Sequence, residues 1–267
     1  MMIHPLSRSR LFKLVVGLVA GAALLTACSQ MPRTANIGME SSKEAKLGTQ
    51  WGEGIASETR SIKAKRLSSK PDEVASLGYD AAAAVRRAVG HNPESRLNLL
   101  LAGGNVEWSV LDENERPLPL QRARSGGGSD VFHLAGLEGS RYTLRFRNLS
   151  DRSYEVIATV DGLDVLNGKS GSLLNGGYIL YPQQVLDIDG FRKSQNEVAA
   201  FRFAVPGQAY AANTEGGDVR NIGVIGAALF ETEVSDAQRR PRGDAALSPP
   251  NAFPADSSYA PPPHYRQ

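Results

Sequence analysis

A mainly β protein is predicted by this chain of 267 residues: an antiparallel β-sandwich of jelly-roll or immunoglobulin-like type, with one short helix and disordered segments at both ends. Three observations carry the prediction. Apolar and polar residues alternate with a period of two in many short runs, which puts one set of side chains on each face of a pleated strand. About eight such runs follow one another, separated by Gly, Asn, Asp and Pro, with no helical period interleaved. The two ends of the chain lack any such pattern.

The boundaries follow in order. Positions 1 to 27 read as an export signal: Arg8, Arg10 and Lys13 precede the twelve-residue apolar run Leu14 to Leu25. A membrane-spanning helix needs about 20 such residues, so this run is too short. The tetrapeptide Leu25-Thr26-Ala27-Cys28 ends the run and resembles the lipobox of bacterial lipoproteins. The resemblance implies cleavage between Ala27 and Cys28 and acylation of Cys28, whose lipid would anchor the chain in place of a spanning helix. Ser29, rather than Asp, follows the cysteine, and by the same resemblance the expected destination is the periplasmic face of the outer membrane. Residues 28 to 47 are polar, carry Pro32 and form a flexible tether.

Charge is then counted on what remains. Three of the 30 basic residues and none of the 28 acidic ones lie in positions 1 to 27, so the remainder is near neutral and lacks the cationic field that nucleic-acid binding needs. The one cysteine is consumed by lipid, which leaves no thiol for a disulfide, a metal or a nucleophile. No cofactor is expected beyond that covalent lipid.

Residues 48 to 234 form the expected sandwich with an N-terminal helical extension. In Gly48-Thr49-Gln50-Trp51-Gly52-Glu53-Gly54 an indole sits among three glycines, which suggests a tight backbone path against which it packs. Arg60, Lys63, Lys65, Arg66 and Lys70 form a positive patch with no acid between them, either a solvated run or a contact for anionic head groups or envelope polymer. Ser69-Lys70-Pro71-Asp72 opens a helix candidate in which Val74, Leu77, Ala81, Val85, Ala88 and Val89 fall three or four apart, and Gly90 and Pro93 would stop it. Gly78-Tyr79-Asp80 inside it equally suits a turn between shorter pieces.

Beyond Glu94 the period becomes two. Tyr142, Leu144 and Phe146 alternate with Arg141, Thr143, Arg145 and Arg147. After Asn148-Leu149-Ser150-Asp151-Arg152 the pattern resumes with Tyr154, Val156, Ala158 and Val160, leaving Glu155 and Thr159 outside. The expected arrangement is an antiparallel hairpin with Glu155 opposite an arginine of its partner. Val106 to Val110, Leu97 to Leu101, Val131 to Leu134, Val185 to Ile188, Val198 to Phe203 and Ile222 to Phe230 supply further strands. The segments Val160 to Lys169, Gly190-Phe191-Arg192 and Asn221 to Gly226 are similar to segments of uncharacterised bacterial envelope lipoproteins, a resemblance that implies no activity.

Chemical motifs stop short of a site. Gly168-Lys169-Ser170 resembles the end of a phosphate-binding loop, but Leu163 stands where that loop needs glycine. Gly223 and Gly226 lack the rest of a dinucleotide-binding pattern. His91, His133 and His264 have no ligand spacing, and His133 reads as a strand histidine satisfied by a neighbour. Asp187 and Asp189 share a strand face and Asp161 and Asp164 flank a glycine turn; these are the residues an oxygen-ligand calcium site would use, with solvated strand carboxylates as the plainer reading. A hydrolase of envelope polymer would pair acids such as Asp161, Asp164 or Glu197 across a cleft.

After Val234 the alternation ends. Seven of the fifteen prolines fall in residues 235 to 267, so this segment is expected to stay extended, either as a solubilising tail or as a proline and tyrosine motif that docks an aromatic groove on a partner. The function expected from these features is a non-catalytic binding or structural lipoprotein of the cell envelope, held to the membrane by lipid and engaging an envelope protein or glycan. The hydrolase is the alternative.

Overall fold

The computed structural model describes residues 46–123, 131–234, 251–252 and 259–265. The export signal, Ala27, Cys28 and all but the last two residues of the tether lie outside them. In chain order the strands are β1 (Gly48–Ala56), β2 (Arg60–Ser61), β3 (Ala64–Arg66), β4 (Glu73–Ala81), β5 (Ser95–Arg96), β6 (Leu99–Leu101), β7 (Val106–Asp112), β8 (Leu120–Ala123), β9 (Val131–Gly136) and β10 (Arg141–Asn148). They continue as β11 (Ser153–Val160), β12 (Leu163–Asp164), β13 (Tyr178–Leu180), β14 (Val185–Ile188), β15 (Gly190–Arg192), β16 (Glu197–Ala204), β17 (Val224–Val234) and β18 (Asn251–Ala252). One α-helix, α1 (Ala82–Val89), interrupts them.

The chain is a β-sandwich. One sheet runs β1-β16-β10-β7-β6, with β14 beside β10 and β15 beside β16. The other runs β2-β18-β13-β11-β17-β4-β9-β8-β5, with β12 beside β11 and β3 beside β17. Among the described strands, β4 with β9 and β18 with β2 are the parallel pairs and the rest are antiparallel. The inward sets of both sheets form a single core: Trp108, Tyr142, Leu144 and Phe146 from one, Leu77, Tyr154, Val156, Ile225 and Leu229 from the other. Trp108 stacks on Phe146 with ring centroids 5.5 Å apart. Removing apolar faces of this size from water is the main term holding two sheets together.

Several expectations are corrected. The helix expected from Ser69 is shorter: residues 73 to 81 are β4, and only Ala82–Val89 is helical, with Val85 and Val89 buried. Leu77 and Tyr79 alternate into the core, and the Val74, Leu77, Ala81 spacing that mimics a helix is incidental to that strand. β10 and β11 do not form a hairpin. β10 pairs with β7 and β14 in one sheet, whereas β11 pairs with β13 and β17 in the other. Residues 148 to 152 are therefore a corner between sheets. Asn148, 1 % exposed, fastens it by donating from Nδ2 to the carbonyls of Arg152 and Tyr181 and accepting at Oδ1 from the Ser150 amide and hydroxyl. Alternation states which side chains face inward; it does not name the neighbouring strand.

Trp51 packs on the core as expected, but on other partners. It lies on β1 next to a register shift between Trp51 and Gly54 and packs against Phe191 and Tyr210 rather than against the glycines. Leu97 lies outside β6 and is exposed. Finally, the described parts of the proline-rich end rest on the domain: β18 pairs with β13 and β2, and Ala260 is buried.

Candidate functional site

A concavity of about 400 Å³ opens on the outer face of the larger sheet. Its floor is made by the outward positions of three adjacent strands: Val74 and Ser76 of β4, Ile157 and Thr159 of β11, and Val224, Gly226 and Ala228 of β17. These residues are small or uncharged. A Cβ at Gly226 would lie 2.6 Å from Thr159 Oγ1, so glycine is what keeps that part of the floor low.

One wall is the turn through Gly171, Ser172 and Leu173, and the other is Asn221 beside Gly162. The first wall is fixed by Arg66 of β3. Its guanidinium forks onto Glu155 of β11 at 2.7 and 3.1 Å, donates to the carbonyls of Leu173 and Asn175, and lies 4.0 Å over the Phe230 ring. Glu155, expected outside, is 1 % exposed; Arg66 and the 171–177 turn cover it, and it also accepts from the Gly177 amide. The second wall begins at a two-residue turn, Asp161-Gly162, where Val160 and Leu163 pair across residues of φ 53° and 78°. Both residues require left-handed backbone, the setting in which Asp-Gly is favoured. The Asn221 side chain lies where a Gly162 Cβ would sit.

Chemically this pocket offers hydroxyls from Ser76, Thr159 and Ser172, the Asn221 amide, and apolar surface including the exposed side chains of Val74, Leu173 and Val224. Among the described residues no charged side chain lines it, so it suits an uncharged, partly apolar group.

The sequence-predicted site residues lie elsewhere. Asp161 is a core staple: its carboxylate accepts from the Thr49 amide at 2.8 Å, the Gly223 amide at 2.9 Å and the Tyr79 hydroxyl at 2.5 Å. Thr49 Oγ1 links Tyr79 to Tyr142. Burial pushes the Asp161 carboxyl up to about 6, against the pull of those donors, and pushes both tyrosines above their usual range. Asp164, also buried, accepts from the amides of Leu166 and Asn167 and from Asn175 Nδ2. Asp187 pairs with Arg145 through two contacts of 2.7 Å. Asp189 accepts from Thr143 Oγ1, with its carboxyl raised by burial. The four candidate calcium ligands are thus not assembled into a cation site: among the described residues no three His, Cys, Asp or Glu gather as a ligand set.

Of the hydrolase candidates, Glu197 stands apart from Asp161. Glu197 pairs with Lys193 and stands opposite Ala56 at one end of β1, while Asp161 holds Thr49 at the other end. At 3.2–3.4 Å per residue those ends are roughly 20 Å apart. Of the basic patch, Arg66 is drawn into the wall just described; Arg60, Lys63, Lys65 and Lys70 are exposed. His133 lies over Gly78 of the neighbouring strand, and burial lowers its imidazole pKa, opposed by Asp80.

No family model, curated protein or solved structure matches the chain. The site is therefore read from its own chemistry. Sequence reasoning missed the pocket because its floor comes from three strands far apart in sequence. The available signal was Val224 to Phe230, a seven-residue run with no charge on either face, which marks a strand covered on both sides.

Proposed function

We propose that this chain is a non-catalytic binding lipoprotein of the cell envelope, anchored through Cys28 at the periplasmic face of the outer membrane, and that its ligand-binding surface is the pocket over β4, β11 and β17. The anchoring part rests on the lipobox resemblance at residues 25 to 28. The binding part rests on one observation: a concavity of about 400 Å³, walled by turns that Arg66 and Asp161-Gly162 fix in place, with an uncharged lining. A pocket of that size holds a small apolar ligand or a group displayed by an envelope protein or glycan. Preformed walls spare the ligand the cost of ordering them.

Two experiments test the reading. Cys28→Ser leaves the chain in the soluble fraction; persistence in membranes overturns the anchor. The uncharged dye N-phenyl-1-naphthylamine gains fluorescence on binding the wild-type chain and fails to do so with Ser76→Trp, which fills the pocket from an exposed strand position. An unchanged dye titration in that variant overturns the pocket.

A further inference from the structure

A second feature lies between β1, β15 and the 3-10 turn Tyr210–Ala212, where the end of the chain covers aromatic residues of the core. Trp51, Phe191 and Tyr210 cluster there, with centroid separations of 6.2, 4.9 and 4.6 Å. Residues 259–265, Tyr-Ala-Pro-Pro-Pro-His-Tyr, lie along it. The Ala260 amide donates to the Arg192 carbonyl at 2.9 Å, Tyr210 Oη donates to the Pro261 carbonyl at 2.7 Å, and the His264 amide donates to the Asn213 carbonyl at 2.7 Å. The Tyr265 phenol meets the backbone of Trp51.

The segment meets the domain chiefly through its main chain. Ala260 is buried and Tyr259 and Pro263 are half-buried, while Pro261, Pro262, His264 and Tyr265 are exposed. Ala260 fits because its neighbour is Gly168, at φ 68°; a Cβ there would lie 2.6 Å from Tyr210 Oη and 3.0 Å from Ala260 Cα. One small side chain inserted, carbonyls and amides read, and prolines left outward is how an aromatic groove recognises an extended proline-rich peptide: the proline-fixed backbone has no internal hydrogen bonds and little entropy left to lose. An integral strand would instead show a continuous ladder and several buried side chains.

We propose that this groove is a binding site for extended proline-rich polypeptide, and that residues 259–265 are its resident and displaceable ligand. The tether makes the site self-blocking. Ala252 is fixed in β18, and six residues separate it from Tyr259. So short a link sets an effective concentration on the order of millimolar, which a free peptide at micromolar concentration does not overcome.

The test uses the full chain in detergent and a fluorescein-labelled peptide of residues 257–267, read by fluorescence anisotropy. One variant is Ala260→Asp, which places a charge in the buried position; another replaces residues 259–263 with alternating glycine and serine. Both are expected to bind the peptide at least tenfold more tightly than wild type does. Adding Tyr210→Phe to the Ala260→Asp chain weakens binding about fivefold, the effect of one hydrogen bond. Absence of binding to both tail variants, or equal binding to wild type, overturns the proposal. Loss of the β circular dichroism spectrum in the glycine and serine variant overturns it as well, because the segment is then part of the core.

Discussion

On the outer face of the smaller sheet, β10 turns Arg141, Thr143, Arg145 and Arg147 outward. On the larger sheet, β17 turns Val224, Gly226, Ala228 and Phe230 outward. The first face is laced by ion pairs, Arg145 with Asp187 and Arg202 with Glu53, and holds a small polar cleft of about 170 Å³ around Asp187 and Asp189. The second carries the uncharged pocket, and the ion pair at its edge, Arg66 with Glu155, is covered. The same guanidinium–carboxylate fork thus appears in two settings. On the first face it is one half-exposed pair among several; under the 171–177 turn Glu155 is a buried carboxylate on which both Arg66 and the Gly177 amide converge. Burial, not the pairing itself, decides what the fork contributes.

That contrast can be broken by mutation. Glu155→Ala strips a buried acceptor from Arg66 and Gly177 and should cost about 3 kcal/mol in urea unfolding; a loss below about 1 kcal/mol would mean both faces are equivalent. Asp161 sharpens it, as a buried carboxyl held by amides and a hydroxyl. Burial raises its folded pKa to about 6, above the ordinary aspartate range, so the native state holds the proton through that window. Its contribution to stability is therefore greatest at low pH and falls as pH rises from about 4 to about 6, by up to about 3 kcal/mol. Asp161→Asn removes this slope, and the stability difference between wild type and variant should be larger at pH 4 than at pH 7. Asp187→Ala, on the solvated face, should cost less than about 1 kcal/mol and less still in high salt. Ser76→Trp, outward on the uncharged face, should change stability by no more than about 0.5 kcal/mol while removing dye binding.

Much of the strand content was legible: β7, β10 and β11 lie where the period of two puts them, and β9, β14, β16 and β17 lie in the further apolar runs. Strand partners were not. Tyr142–Phe146 and Tyr154–Val160 show the same pattern whether they form a hairpin or face each other across a core, and the difference rests on Asn148 bonding two sheets at once. Glu155 could not be read as buried, because its partner Arg66 lies 89 residues earlier. Asp161-Gly162 announced its turn, but the inward path of the carboxylate depends on Thr49, Tyr79 and Gly223, each on a different segment. The prolines after Val234 exclude helix, and that was legible; that Asn251–Ala252 would slip between β13 and β2, and that Ala260 would be buried, is invisible to composition.

The pairing of β1 with β16 has a kinetic side. Gly48 faces Ala204 across that ladder, roughly 150 positions further along the chain, and β4 waits equally long for β17. The β1–β16 ladder waits for residues up to Ala204 and the β4–β17 ladder for those of β17, and loop-closure entropy falls due before these distant contacts form, which places folding on the millisecond-to-second scale of high contact-order β topologies.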